Sequence, residues 1–217
     1  MISLKELTRF RTFLVDDISD YKRKATVVLD KIFPEYTQIF SDTFGKTSKE
    51  ILTKYPLPKD ILNEDLESLA KVLSTSSKGR LGYSKAEQLQ NLAKESFCIK
   101  FATEALVMEI KSILSTIEHL QNQVSKLDEK IAVLLRSLGT TIETIPGIGP
   151  VLGAIIVSEI GDINRFSHAS KLVAYAGIDP TVKQSGEFNA TKNRMSKRGT
   201  PYLRRALWTA SIVAAFN

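Results

Sequence analysis

Leu106-Val107-Met108-Glu109-Ile110-Lys111-Ser112-Ile113 opens the stretch that decides the fold, which continues through Ile117, Leu120, Val124, Leu127, Ile131, Leu134 and Leu138. The ten apolar positions alternate spacings of four and three for about four and a half heptads, the period of an α-helix with one apolar seam. With Ile110 at an a position, a reads Ile, Ile, Val, Ile, Leu and d reads Leu, Ile, Leu, Leu, Leu, a distribution that favours two-stranded parallel coils. Two readings stay open. One is a homo-dimer or tetramer joined through the 106–138 helix; the other is an antiparallel pairing with a first helix of the same chain.

That first helix is read from Leu4, Leu7, Phe10, Phe13 and Leu14, then Tyr21, Ala25, Val28 and Leu29, which also recur at spacings of three and four until Phe33-Pro34. Residues 36–55 read as a helical region broken near Gly45, Pro56 and Pro58 stop it, and Glu64 to Leu73 reads as a short helix. A loop is expected over Ser74 to Gly79, then a helix with Ser84 as N-cap and Glu87 completing a capping box. The assignment is a helical N-terminal region at 1–97, a coiled-coil helix at 98–139 and a compact C-terminal domain at 140–217, a mainly α fold.

Beyond Gly139 the composition changes, and seven of the eleven glycines lie between Gly147 and Gly199. Thr141 to Ile145 reads as a short helix, Pro146-Gly147-Ile148-Gly149 as a tight turn and Val151 to Ile160 as an apolar helix ended by Gly161, a helix-hairpin-helix pattern. Glycines let such a turn approach a phosphate while helix N-terminal amides favour an anion; the contact holds a backbone and reads no sequence. The same pattern also fits an αα-turn that only buries its helices. A further helix is expected from His168 or Ala169 to Ala176, and an apolar one from Leu203 to Phe216, with Trp208 in its core.

Charge is concentrated downstream. Between Thr181 and Arg205, seven basic residues (Lys183, Lys192, Arg194, Lys197, Arg198, Arg204 and Arg205) stand against Glu187 alone, a balance of +6 that equals the whole chain's net charge. A polyanionic partner follows, because neutralising phosphates releases condensed counterions. Nucleic acid is favoured over a membrane surface, since the window is rich in Gly, Ser, Thr and Asn and lacks a broad apolar face.

Other candidates are weaker. Cys98 is the single cysteine, so neither an internal disulfide nor a cysteine zinc cluster forms, and between Phe97 and Ile99 it reads as a packed thiol. His119 and His168 have no ligand partners at metal spacing. Asp162 reads as a turn acceptor after Gly161 or a partner of Arg165, and Asp16, Asp17 and Asp20 as solvated charges. No apolar run has the length of a membrane span, and Met1 to Glu6 lacks a signal-peptide core, so a cytoplasmic address is expected. Ser185, between Gln184 and Gly186, reads locally as a turn serine; basic neighbours suit phosphoryl charge, but no histidine stands ready to take its proton.

The ordered set Ile145-Pro146-Gly147-Ile148-Gly149, Glu159-Ile160-Gly161-Asp162-Ile163, Phe166, Leu172, Ala174 to Pro180, Gln184-Ser185-Gly186, Lys197-Arg198-Gly199 and Leu203-Arg204 resembles the C-terminal domain of the insertion-sequence one-ten transposases, which include the Piv-like DNA invertases. The resemblance implies a recombinase with a RuvC-like domain whose four acidic residues bind Mg2+, a coiled coil, and this transposase domain. It implies that Ser185 is the nucleophile joined to DNA, that the partner is DNA, and that a structured guide RNA serves in several members. Met1 to Leu138 supplies no RuvC-like strands or acidic motif, and family members continue past the position of Asn217. The chain is therefore expected to be truncated at both ends, with no metal site of its own and no activity alone if attack needs those carboxylates. The alternative to a transposase is a non-catalytic helix-hairpin-helix module that binds nucleic acid through phosphates, and a third reading is a coiled-coil assembly protein with an incidental basic face.

Overall fold

The computed structural model describes residues 1–181, 184–185, 188–189 and 194–216, without the side chains of 184, 185, 188 and 189. It is mainly α-helical: α1 (Ile2–Ile32), α2 (Lys46–Lys54), α3 (Pro58–Asn63), α4 (Leu66–Ser77), α5 (Tyr83–Glu95), α6 (Thr103–Ser137), α7 (Pro150–Ile160), α8 (Ala169–Ala176) and α9 (Pro201–Phe216). Two-residue strands β1 (Gln184–Ser185) and β2 (Phe188–Asn189) pair antiparallel between α8 and α9. The helices gather into two compact units, one of residues 1–14 with 123–217 and one of residues 15–122, so α1 and α6 each contribute a segment to both.

In the unit of residues 15–122 the buried positions of α1 are Ile18, Ala25, Val28, Leu29 and Ile32, the expected stripe of a long amphipathic helix. Pro34 follows Phe33, whose φ of −163° has left the helix, because the residue before a proline is pushed out of the α region. Tyr36 is fully buried; its hydroxyl donates to the Ser48 carbonyl at 2.9 Å, and the Ser48 hydroxyl donates to Thr43 O at 2.6 Å. Burial pushes the Tyr36 phenol well above its ordinary range, so it acts as a neutral donor that anchors the start of α2.

Helix ends in this unit show where local sequence signals succeed and fail. Asp65 caps α4 by accepting from the Glu67 and Ser68 amides at 3.3 and 2.9 Å. The helix then runs four residues past the expected stop at Leu73. The Ser76 and Ser77 hydroxyls donate to the Val72 and Ser74 carbonyls, so serines read as loop formers are held within the last turn. Lys78 closes the helix in the left-handed region, φ 56°. The capping box at Ser84 is not formed: Gly82 is the N-cap of α5 and no side chain caps it, which places Ser84 inside the first turn. The second helical region is a 3-10 turn (Pro34–Gln38) followed after Gly45 by α2.

In the other unit the end of the heptad seam packs within the chain. Ile131 and Leu135 of α6 form one buried cluster with Leu4 and Ala154, surrounded by Leu7, Leu127, Leu134, Ile142 and Val157. Arg11 forks onto Asp128 at 2.7 and 3.2 Å. Leu4 opposite Ile131 and Leu135, with Arg11 opposite Asp128, makes the two helices antiparallel here. The buried face of α1 is rotated from the one read in sequence. Phe10 and Phe13 are 50% and 57% exposed, while Thr8 and Thr12 are buried. Both threonines satisfy their hydroxyls on backbone carbonyls of their own helix, Lys5 O at 3.0 Å and Thr8 O at 2.9 Å, which lets polar residues take a core stripe.

A second cluster of Ile156, Ala176, Leu203 and Ala206 joins α7, α8 and α9. Trp208 is 66% exposed, not in that core, because the buried line of α9 runs Leu203, Ala206, Ala210 and leaves position 208 on the other side. Among the described residues no helix is long and apolar enough to cross a membrane.

Candidate nucleic-acid interface

The segment expected as the first helix of a hairpin is a three-residue 3-10 turn, Ile142–Thr144, and α7 begins at Pro150 with Gly149 as its N-cap. The two turn glycines differ. Gly147 has φ +85°, and a Cβ there would lie 3.0 Å from both Ala210 O and Ala214 N, so this glycine lets the turn approach the backbone of α9. Gly149 is exposed with nothing within 4 Å of a built Cβ. Pro146 is exposed and Ile148 half-buried, the latter against the α7–α9 cluster. The Gly149 side is open, whereas a Cβ at Gly147 is blocked by α9.

Among the described residues of the basic window, Arg194 to Thr200 are not helical, whereas Arg204 and Arg205 lie in the first turns of α9. From Gly177 to Thr181 the chain runs antiparallel to Arg194 to Thr200, with Thr181 N donating to Arg194 O at 2.7 Å, Ser196 N to Asp179 O at 2.8 Å, Lys197 N to Gly177 O at 3.0 Å and Thr200 N to Tyr175 O at 3.0 Å. The Ser196 hydroxyl donates to the Asp179 carboxylate. Further out β1 and β2 continue the antiparallel pairing, with Gln184 opposite Asn189 and Ser185 opposite Phe188. The described pairings are those of a β-ribbon with a basic root, and the backbone of Ser185 lies in β1.

The root is held by a buried carboxylate that sequence reading left without a role. Glu159 on α7 has a fully buried side chain and accepts from Arg9 Nε and Nη2 at 2.7 and 3.2 Å and from Thr200 Oγ1 at 2.9 Å, with Lys5 Nζ at 3.4 Å. Burial alone raises its pKa, but the hydrogen bonds from Arg9 and Thr200 and the charges of Arg9 and Lys5 prevail and hold it below the usual carboxylate value. The Tyr175 hydroxyl donates to the Glu159 carbonyl at 3.0 Å, and the Arg165 guanidinium lies 4.4 Å from the Tyr175 ring centre. The available signal was a lone acid in the otherwise apolar helix Val151 to Ile160; its partner Arg9, 150 residues away, has none.

Of the basic candidates, Arg194, Lys197, Arg198 and Arg205 are exposed. Lys197 stands in the left-handed region at φ 55°. Arg204 is half-buried and donates from Nη1 to the Ala176 carbonyl at 3.2 Å, so it braces the root as well as carrying charge. Lys183 and Lys192, and the side chain of Ser185, lie outside the described residues. Asp162 accepts from the Asn164 amide at 2.9 Å, the turn role expected of it, and Arg165 turns to the aromatic rings. Cys98 is half-buried beside a Phe97 that is 93% exposed. Asp20 pairs with Arg23 on the surface of α1. Among the described residues no three His, Cys, Asp or Glu side chains converge, so those residues do not fit the Mg2+ that the resemblance implies.

Fold and geometry together define a mainly α-helical chain whose terminal domain presents a basic β-ribbon rooted on a buried ion-pair cluster. Residues 139–217 match the transposase IS116/IS110/IS902 family. It is similar to the insertion element IS116 uncharacterized 44.8 kDa protein of Streptomyces clavuligerus, 25% identical over 95% of this chain and 51% of the relative. It is also similar to the pilin gene-inverting protein of Moraxella bovis, 31% identical over 52% of this chain and 38% of that protein. The mini-circle putative transposase for IS117 of Streptomyces coelicolor is 24% identical over 87% of this chain and 48% of the relative. The chain spans about half or less of the length of these relatives.

Proposed function

We propose that this chain is the DNA-handling part of a transposase or site-specific recombinase, in which the basic root of the ribbon holds phosphate backbones and Ser185 is the nucleophile. The observation that carries the reading is the family match over 139–217, together with a ribbon that concentrates exposed Arg194, Lys197 and Arg198 on the same element as the Ser185 backbone. In the proposed step the Ser185 oxygen forms a bond to a DNA phosphorus. As that bond forms the serine hydroxyl gives up its proton, the P–O bond to one deoxyribose breaks and the leaving oxygen takes up a proton, so one end of the broken strand stays attached to the protein. Cationic side chains favour this by stabilising charge on the phosphoryl oxygens. A metal acting on such a step comes, in this proposal, from carboxylates outside the described residues, and a structured RNA is a second candidate for the same basic surface.

The test is a covalent adduct. In the intact protein with DNA carrying its element ends, Ser185→Ala abolishes a denaturation-resistant protein–DNA species and leaves non-covalent binding unchanged; an adduct that persists in Ser185→Ala refutes the nucleophile. The non-catalytic reading predicts binding with steep salt dependence and no adduct from either protein.

A further inference from the structure

The unit of residues 15–122 holds a cleft of about 440 Å³ between the start of α2 and the end of α4, with Lys46, Lys78 and Arg80 on its wall. All three are exposed, and among the described residues none of them makes an ion pair or side-chain hydrogen bond. Thr47, Ser76 and Ser77 add hydroxyls to the same wall, and the single acid there, Asp42, has one carboxylate oxygen engaged with the Phe44 amide at 3.0 Å.

Two features argue that the cations are more than a solvated surface. Lys78 occupies a left-handed backbone position, φ 56°, where a lysine costs roughly 1 kcal/mol relative to glycine, although Gly79 follows immediately. Elsewhere in this unit Lys22 lies over Phe44 and Lys85 over Phe40, each 5.8 Å from the ring centre, whereas the three cations on the wall are left for an outside partner. Three cations on one cleft wall, the Thr47 hydroxyl and a start of α2 that no side chain caps suit a ligand with several anionic oxygens.

We propose that this cleft is a second nucleic-acid contact that takes backbone phosphodiesters through Lys46, Lys78 and Arg80. The inference depends on the nucleic-acid reading made above and extends it to the helical unit without catalytic residues. Phosphodiesters of DNA and of RNA offer the same chemistry, so both are probed.

The experiment measures fluorescence anisotropy of the whole chain with a labelled 20-base-pair DNA duplex and with a labelled RNA hairpin, over a series of KCl concentrations. The triple variant Lys46→Ala, Lys78→Gly, Arg80→Ala is expected to weaken binding of at least one probe and to lower its logarithmic salt slope by about 2 to 3, since each duplex phosphate contact contributes about 0.9. Loss with one probe alone assigns the contact to that nucleic acid. Lys46→Arg with Arg80→Lys retains binding. Lys78→Gly alone removes one charge while relieving the backbone, so it reports a slope change of about 1 even if the triple variant unfolds. Parent-like affinity and slope with both probes overturn the cleft contact alone. A parent chain that binds neither probe overturns the ribbon reading with it.

Discussion

Gly177 and Gly199 cross backbone to backbone, so closely that a Cβ built on either would lie 2.6 Å from the other's amide nitrogen. The crossing is where the end of α8 meets the approach to α9, and it sets the spacing from which the basic ribbon departs. Gly177 also has φ +68°, a region costly to any residue with a Cβ. Gly177→Ala or Gly199→Ala is expected to cost about 3 kcal/mol in urea unfolding, from overpacking and, at 177, backbone strain. Gly149→Ala, with open space at its Cβ and φ −85°, is expected to fall within about 0.5 kcal/mol of the parent. Equal costs at all three positions contradict the geometry.

Glu159 makes stability depend on acid. Its folded pKa lies below its ordinary value of 4.5, so the folded state binds fewer protons there than the unfolded state. The stabilisation is complete above about 4.5 and is lost as pH falls through the depressed folded value. Glu35 and Asp65, also held low by hydrogen bonds, share this acid limb. Glu159→Gln is expected to cost about 1.5–3 kcal/mol at pH 7 and to flatten the decline of unfolding free energy below pH 4.5, with the remaining slope left to the other two. A pH profile parallel to the parent's contradicts this.

The packing of Ile131 against Leu4 distinguishes an intrachain seam from an intermolecular one. Ile131→Ala should cost about 2–5 kcal/mol and Val133→Ala, 65% exposed, much less. If the seam from Leu127 to Leu135 is satisfied within the chain, the unfolding midpoint is independent of protein concentration. A midpoint that rises with concentration assigns the seam to a dimer.

Charge on the ribbon root separates into binding and bracing. Lys197→Ala with Arg198→Ala, both exposed, is expected to lower the logarithmic salt slope of duplex binding by about 2 without changing thermal stability. Arg204→Ala is expected to lower stability as well, because its guanidinium also bonds the Ala176 carbonyl. Binding and melting measured on the same samples check both.

What the sequence made legible was what depends on local period and composition. The seam from Leu106 to Leu138 forecast α6, and Pro34, Gly161 and Gly177 stand where helices were expected to end. Apolar counting puts Phe10 and Phe13 on the buried face of α1, whereas buried threonines, bonded to their own helix, occupy that stripe. Sequence does not reveal which backbone Gly147 packs against, and here a Cβ on it would meet that of α9. The Arg9–Glu159–Thr200 cluster arises from contacts 150 and 41 residues apart, which no local pattern encodes.

The most direct measurement is the site of attachment to DNA. After reaction of the intact protein with its DNA and digestion with trypsin, the peptide Gln184 to Lys192 is expected to carry the nucleotide mass, on Ser185, in tandem mass spectrometry. Attachment at another residue, or the same adduct in Ser185→Ala, contradicts the assignment of Ser185 as the nucleophile.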